Sequence, residues 1–250
     1  MKQTPSIGMN RTGIASHENR TRDMQAGVEE FGPSSTGSSV GPDRTRILYT
    51  RSAESGTRGL GSVPPPVGVK GKVKAAADVV MGHQPTLLMD KMSERIAFER
   101  TGTRLYEALI SKHEADGGFE GGPSRDDLLL ILNEEHRHFA MLTADMRKLG
   151  GDPTAMTPSA DIAATASTGI LKVVTDPRTT LLQGLEAILI AELTDRDGWH
   201  ALIALARNAG KDELVERYEE AEAREAEHVD KARNWISAGH LGGSAAQAAE

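Results

Sequence analysis

Leu132-Asn133-Glu134-Glu135-His136-Arg137-His138-Phe139-Ala140-Met141-Leu142 is the stretch on which the fold turns. Leu128, Leu132, Glu135, His138, Leu142 and Leu149 recur at spacings of three, four and seven, the period of one helical face, yet a carboxylate and an imidazole occupy the middle of the apolar stripe. An isolated ionised carboxylate in a core costs several kcal/mol, so this position demands a partner. Glu135 and His138 stand three residues apart, on neighbouring positions of one face, and so project together.

Three further stretches repeat the pattern. Met92, Ile96, Glu99, Thr103, Tyr106 and Ile110 predict a helix over about Thr86–Ala115, closed by Gly117-Gly118 and Gly121-Gly122-Pro123. Ser124 with Asp127 signals the start of the second helix, which ends near Leu149 before Gly150-Gly151. Asp176-Pro177 is taken as the start of the third, with the stripe Leu181, Leu185, Ile188, Glu192, Asp195, Trp199 and Leu202 running to Gly210. The fourth spans Asp212 to Ser237 and carries Leu214, Tyr218, Ala221, Glu225, His228, Ala232 and Trp235. Strand-like alternation is absent from these stretches. Helices of this length would reach about 37 Å, long enough to share one continuous core. Short connections join the first to the second and the third to the fourth. The long segment from Gly151 to Thr175, with a short helix around Ala160 to Val173, makes the crossover. The expected fold is all-α: an antiparallel four-helix bundle over residues 86–238 with one long crossover between its second and third helices.

The remainder of the 250 residues has a different texture. Residues 1–85 are rich in Gly, Ser, Thr, Pro and Arg, with Pro64-Pro65-Pro66 and isolated apolar residues, and read as an irregular, largely disordered extension. Arg44, Arg46, Arg51 and Arg58, with Lys70, Lys72 and Lys74, read as charges of a solvated tail, contact with an anionic partner being the alternative. Residues 239–250 read as a short flexible tail. The formal charge of -7 gives no electrostatic footprint for wrapping nucleic acid, and no run approaches the ~18 apolar residues of a membrane span. Without a recognisable secretory leader, the chain reads as cytoplasmic.

The chain contains no cysteine, which removes disulfides, thiolate nucleophiles, zinc ribbons and iron–sulfur ligation. A metal here must be held by oxygen and imidazole nitrogen. Glu99, Glu135, Glu192 and Glu225 interrupt four core-facing stripes, and converging carboxylates require protons or a cation between them. Two of the four belong to Glu-x-x-His motifs, Glu135–His138 and Glu225–His228. One Glu from each of two helices with Glu-x-x-His from each of two others is the ligand pattern of dinuclear iron and manganese bundles.

In these residues the chain resembles the ferritin-like superfamily, which holds ferritins, bacterioferritins and rubrerythrins, over about Thr86 to Ile236. The resemblance implies that Glu135 and Glu225 bridge two metals, Glu99 and His138 completing one and Glu192 and His228 the other. It implies a place near the metals for Tyr106, seven residues after Glu99 and alternatively a plain core aromatic. Asp195 resembles the extra carboxylate of rubrerythrins, shortened from Glu. The implied cofactor is two Fe ions, with Mn as the alternative. The implied activity is oxidation of Fe(II) by O2 or H2O2, of ferroxidase or peroxide-detoxifying type, in iron homeostasis or oxidative-stress defence. A di-manganese catalase-like enzyme, a di-iron oxygenase on an organic substrate and a non-catalytic metal-binding scaffold are the alternatives. Rubrerythrins draw electrons through cysteine-ligated iron; a chain without cysteine needs an external donor or iron itself as reductant. A small homo-oligomer is expected. Glu134 is read as solvated, paired with Arg137, and Glu222 as either a surface residue or a neighbour of the centre.

Overall fold

The computed structural model describes residues 63–64 and 85–247. The expectation of an irregular N-terminal extension falls almost wholly outside the described residues. Five helices follow in order: α1 Pro85–Asp116, α2 Arg125–Lys148, α3 Pro158–Thr175, α4 Leu181–Asn208 and α5 Asp212–Gln247. No strand occurs among the described residues, and no described helix is long and apolar enough to cross a membrane.

Local chemistry sets the boundaries. Ser124 caps α2 through a reciprocal box: its hydroxyl accepts from the Asp127 backbone N–H, and the Asp127 carboxylate accepts from the Ser124 N–H. The start expected at Asp176-Pro177 is corrected. Asp176 ends α3 and folds its carboxylate onto Arg178, whereas α4 begins at a second box, Thr180 with Gln183. An Asx turn and a helix cap use the same residue types, and here the turn won. Gly210, at φ 61°, takes the left-handed conformation that closes α4 and lets α5 begin two residues later. The last helix does not stop near Ser237; it continues to Gln247. A side chain at Gly239 would press on Leu182 and Phe119, so this glycine admits neighbours instead of breaking the helix.

All seven predicted stripe residues of α4 and all seven of α5 are buried, as are all six of α1; on α2 only Leu132 and Leu149 remain half-buried. They form two apolar clusters. One gathers Met92, Ile96, Leu142, Met146, Trp199, Leu202, Leu214 and Tyr218. The other gathers Leu105, Leu109, Leu128, Ile131, Leu185, Ile188 and Trp235. Going along the chain, α1 and α5 pass from the first cluster to the second, and α2 and α4 pass back, so α1 with α2 and α4 with α5 are antiparallel. The crossover segment is itself helical: α3 packs on α1 and α4, and its start is held by Asp90 of α1, which accepts from the Ser159 N–H at 3.0 Å and hydroxyl at 2.7 Å. The four long helices change cluster at Glu99, at Glu135 and His138, at Glu192 and Asp195, and at Glu225 and His228. A charged layer is thereby sealed between two apolar ones.

Candidate metal centre

Glu99, Glu135, His138, Glu192, Glu225 and His228 are all buried, and the fold brings all six together. They form two overlapping groups, Glu99–Glu135–His138–Glu225 and Glu135–Glu192–Glu225–His228, each with ligand atoms within 4.8 Å of one another and able to hold a metal ion. Glu135 and Glu225 belong to both. Glu225 spans the groups with its two oxygens: Oε1 lies 2.7 Å from His138 Nδ1, and Oε2 lies 3.0 Å from His228 Nδ1. His138 Nδ1 is also 3.6 Å from Glu99, and His228 Nδ1 is 3.6 Å from both Glu135 and Glu192.

Apart from the His228–Glu225 hydrogen bond at 3.0 Å, these groups converge largely without satisfying one another. Both oxygens of Glu99 and of Glu135, Glu192 Oε2, Glu225 Oε1 and His138 Nδ1 are buried and lack a hydrogen bond. The short approach of His138 to Glu225 therefore lacks the angle a hydrogen bond needs. Buried polar groups are almost always paired, so seven such atoms on residues of the two ligand groups fit a place that could hold a metal ion. Hard carboxylate oxygen with imidazole nitrogen fits a divalent metal of the first transition row.

Electrostatics agree with the geometry. Burial pushes Glu135 well above the usual carboxylate range, and Glu225, Glu99 and Glu192 push it further. Burial likewise raises Glu192 and Asp195. Glu225 goes the other way: burial acts to raise it, but His138 and His228 hold it down to about 2. Although burial opposes it, Glu225 and Glu99 raise His138 to about 10, and four glutamates led by Glu134 raise His228. Both imidazoles are thus held toward their protonated form by the carboxylates around them.

Tyr106 lies at the centre, its hydroxyl donating to Glu192 Oε1 at 2.5 Å, and burial followed by Glu192 raises its pKa well above that of free tyrosine. Asp195 is buried beside the centre but bonds Arg95, and it belongs to neither ligand group. Glu134 does not pair with Arg137 as expected; its Oε2 accepts from His228 Nε2 at 2.9 Å, because α5 crosses α2 close enough to reach it. Glu222 sits with Arg196 and His200, each at 2.8 Å, away from the ligands.

Sequence reasoning missed Arg95, whose guanidinium is buried between Asp195 and Glu99. Its position four residues before Glu99, on the same face, was the available signal. It also missed two glycines on neighbouring turns of the centre. A Cβ at Gly102 would collide with Glu135 Oε2, and one at Gly198 would collide with the Arg95 guanidinium. Comparison of the chain with protein-family models, with curated proteins and with solved structures yields no match in any of the three.

Proposed function

We propose that this chain is a non-haem di-iron oxidoreductase of the ferritin-like kind, a four-helix bundle with α3 as its crossover, that oxidises Fe(II) with O2 or H2O2. The observation that carries this reading is the pair of four-residue groups sharing Glu135 and Glu225. Shared carboxylates suit a dinuclear centre, with Glu99 and His138 completing one metal position and Glu192 and His228 the other. Four carboxylates balance two divalent cations with both imidazoles neutral, which leaves the buried six-ligand set without net charge. When bound, the iron pair supplies two electrons to dioxygen or peroxide.

The protein's own residues do the rest. Glu225 bonds His228 through Oε2 and lies against His138 with Oε1, so one carboxylate stands between the two histidines. Tyr106 holds Oε1 of Glu192 and leaves Oε2 for a metal. The apolar clusters on either side exclude water, which strengthens each charge interaction in the layer. With no cysteine to ligate a second redox centre, the electrons come from iron as substrate or from an external donor. Iron handling or defence against peroxide in the cytoplasm is the role that fits this activity.

Metal analysis tests the proposal. Protein made in cells supplied with iron and manganese should carry about two Fe per chain, lost in Glu135→Ala/Glu225→Ala, and the iron should oxidise rapidly with peroxide. Two Mn would transfer the reading to a di-manganese enzyme. Tightly held, redox-silent zinc, or no metal in either protein, would overturn it.

A further inference from the structure

The two ends of the centre are backed by different chemistry. At the Glu99–His138 end, Glu99 Oε1 faces the Arg95 guanidinium at 3.5 Å. That cation is built in: Gly198 makes room for it, Asp195 bonds its Nη2, and the Phe98 ring lies 4.5 Å from its Cζ. The same Nη2 reaches Asp195 and Glu99, so the positive charge lies between the two carboxylates. A fixed cation against a ligand carboxylate competes with a metal for it and repels an incoming one. His138 makes both of its carboxylate contacts through Nδ1 and rests its ring edge-on against Trp199, with centroids 5.5 Å apart.

At the Glu192–His228 end each of these features is reversed. Glu192 is held by Tyr106, a neutral donor in place of a cation. His228 has a carboxylate behind it: Glu134 accepts from Nε2 at 2.9 Å while Nδ1 faces the centre. A carboxylate on the far nitrogen fixes the tautomer, orients the ring and makes the metal-facing nitrogen a better donor. Cation against neutral donor, and apolar ring against carboxylate, act in the same direction.

We infer that the two metal positions are unequal: the one built by Glu192 and His228 fills first and binds more tightly than the one built by Glu99 and His138. Glu134 and Arg95 are the positioning residues that set the difference. This rests on the dinuclear reading above and adds an order of filling to it.

The test titrates Zn(II) into the metal-free full-length chain labelled with 15N-histidine and follows the two ring signals separately. His228 should respond over the first equivalent and His138 over the second. Glu134→Gln, a near-isosteric change on a half-buried side chain, should weaken the first step about tenfold or more and narrow the gap, with an unchanged far-UV spectrum as the check on folding. Arg95→Gln/Asp195→Asn, which removes both charges and keeps hydrogen-bonding groups, should tighten the second step and leave the first unchanged. A response at His138 first, or at both rings in parallel from the first addition, would overturn the inference while leaving the dinuclear reading intact. A gap untouched by both variants would overturn the roles of Glu134 and Arg95. Zinc binding at neither histidine would overturn the inference and the dinuclear reading together.

Discussion

Gly102 of α1 stands directly against the carboxylate of Glu135 of α2: the place of a Cβ on the glycine is taken by Glu135 Oε2. Glycine inside a helix normally costs about 1 kcal/mol relative to alanine, so its presence in the middle of α1 has a packing reason. The glutamate reaches the centre through that gap. The obstructed atom is the end of a flexible side chain, so Gly102→Ala should fold, with a urea midpoint close to that of the parent. Metal stoichiometry should fall, because Glu135 belongs to both ligand groups. Full metal content in Gly102→Ala would show that Glu135 does not need this gap.

Loading the centre should expel protons. A metal takes the neutral imidazole, whereas His138 stays protonated up to about 10 in the metal-free protein and His228 is raised as well. At neutral pH each histidine then gives up one proton on loading, and affinity should rise as pH increases toward 10. Isothermal titration in buffers of different ionisation enthalpy counts these protons. Binding independent of pH between 6 and 9 would contradict the expectation.

The same shift governs the stability of the metal-free chain. His138 is raised from 6.5 to about 10, so its contribution is fully present below about 6.5 and is lost as pH rises through 10. Thermal unfolding should therefore move to lower temperature over that window in the metal-free protein. In the loaded protein, where the imidazole holds a metal and not a proton, the dependence should be much flatter.

Arg95 and Asp195 form a buried ion pair, each less than 5 % exposed. Removing one partner strands a charge in the core, so Asp195→Leu should cost about 3–5 kcal/mol. Arg95→Met/Asp195→Leu should cost distinctly less than the sum of the two single changes. Denaturant unfolding of the cycle measures the coupling. Additive losses would mean that the pair is not an energetic unit.

Tyr106→Phe removes the donor to Glu192 Oε1 and leaves that buried oxygen without a partner. The expected loss is about 1–3 kcal/mol of stability in the metal-free chain, with both metals still bound. Loss of metal in the same variant would make Tyr106 necessary for the ligand geometry itself.

Much of this centre is legible in the sequence. Each of its six residues lies on a stripe whose period is that of one helix face, and a carboxylate amid leucines stands out because burying it alone is so costly. Local rules worked where the partner is close along the chain, as at Ser124 and Asp127. They failed at Asp176, where a turn and a cap compete for the same residue types, and at Gly239, whose neighbour Leu182 is distant in sequence.

Periodicity by itself determined where the long helices lie and which of their residues are buried, the carboxylates and histidines of the charged layer included, because amphipathic spacing is a property of one helix and is written in consecutive residues. Which outer group each ligand meets was decided only by tertiary structure. Glu134 was one of several charges on α2 until α5 brought His228 beside it, and Arg95 was an ordinary helix arginine until α4 supplied Asp195 and the space at Gly198. Those contacts join residues far apart in the chain, and their energies depend on burial that no single helix has alone.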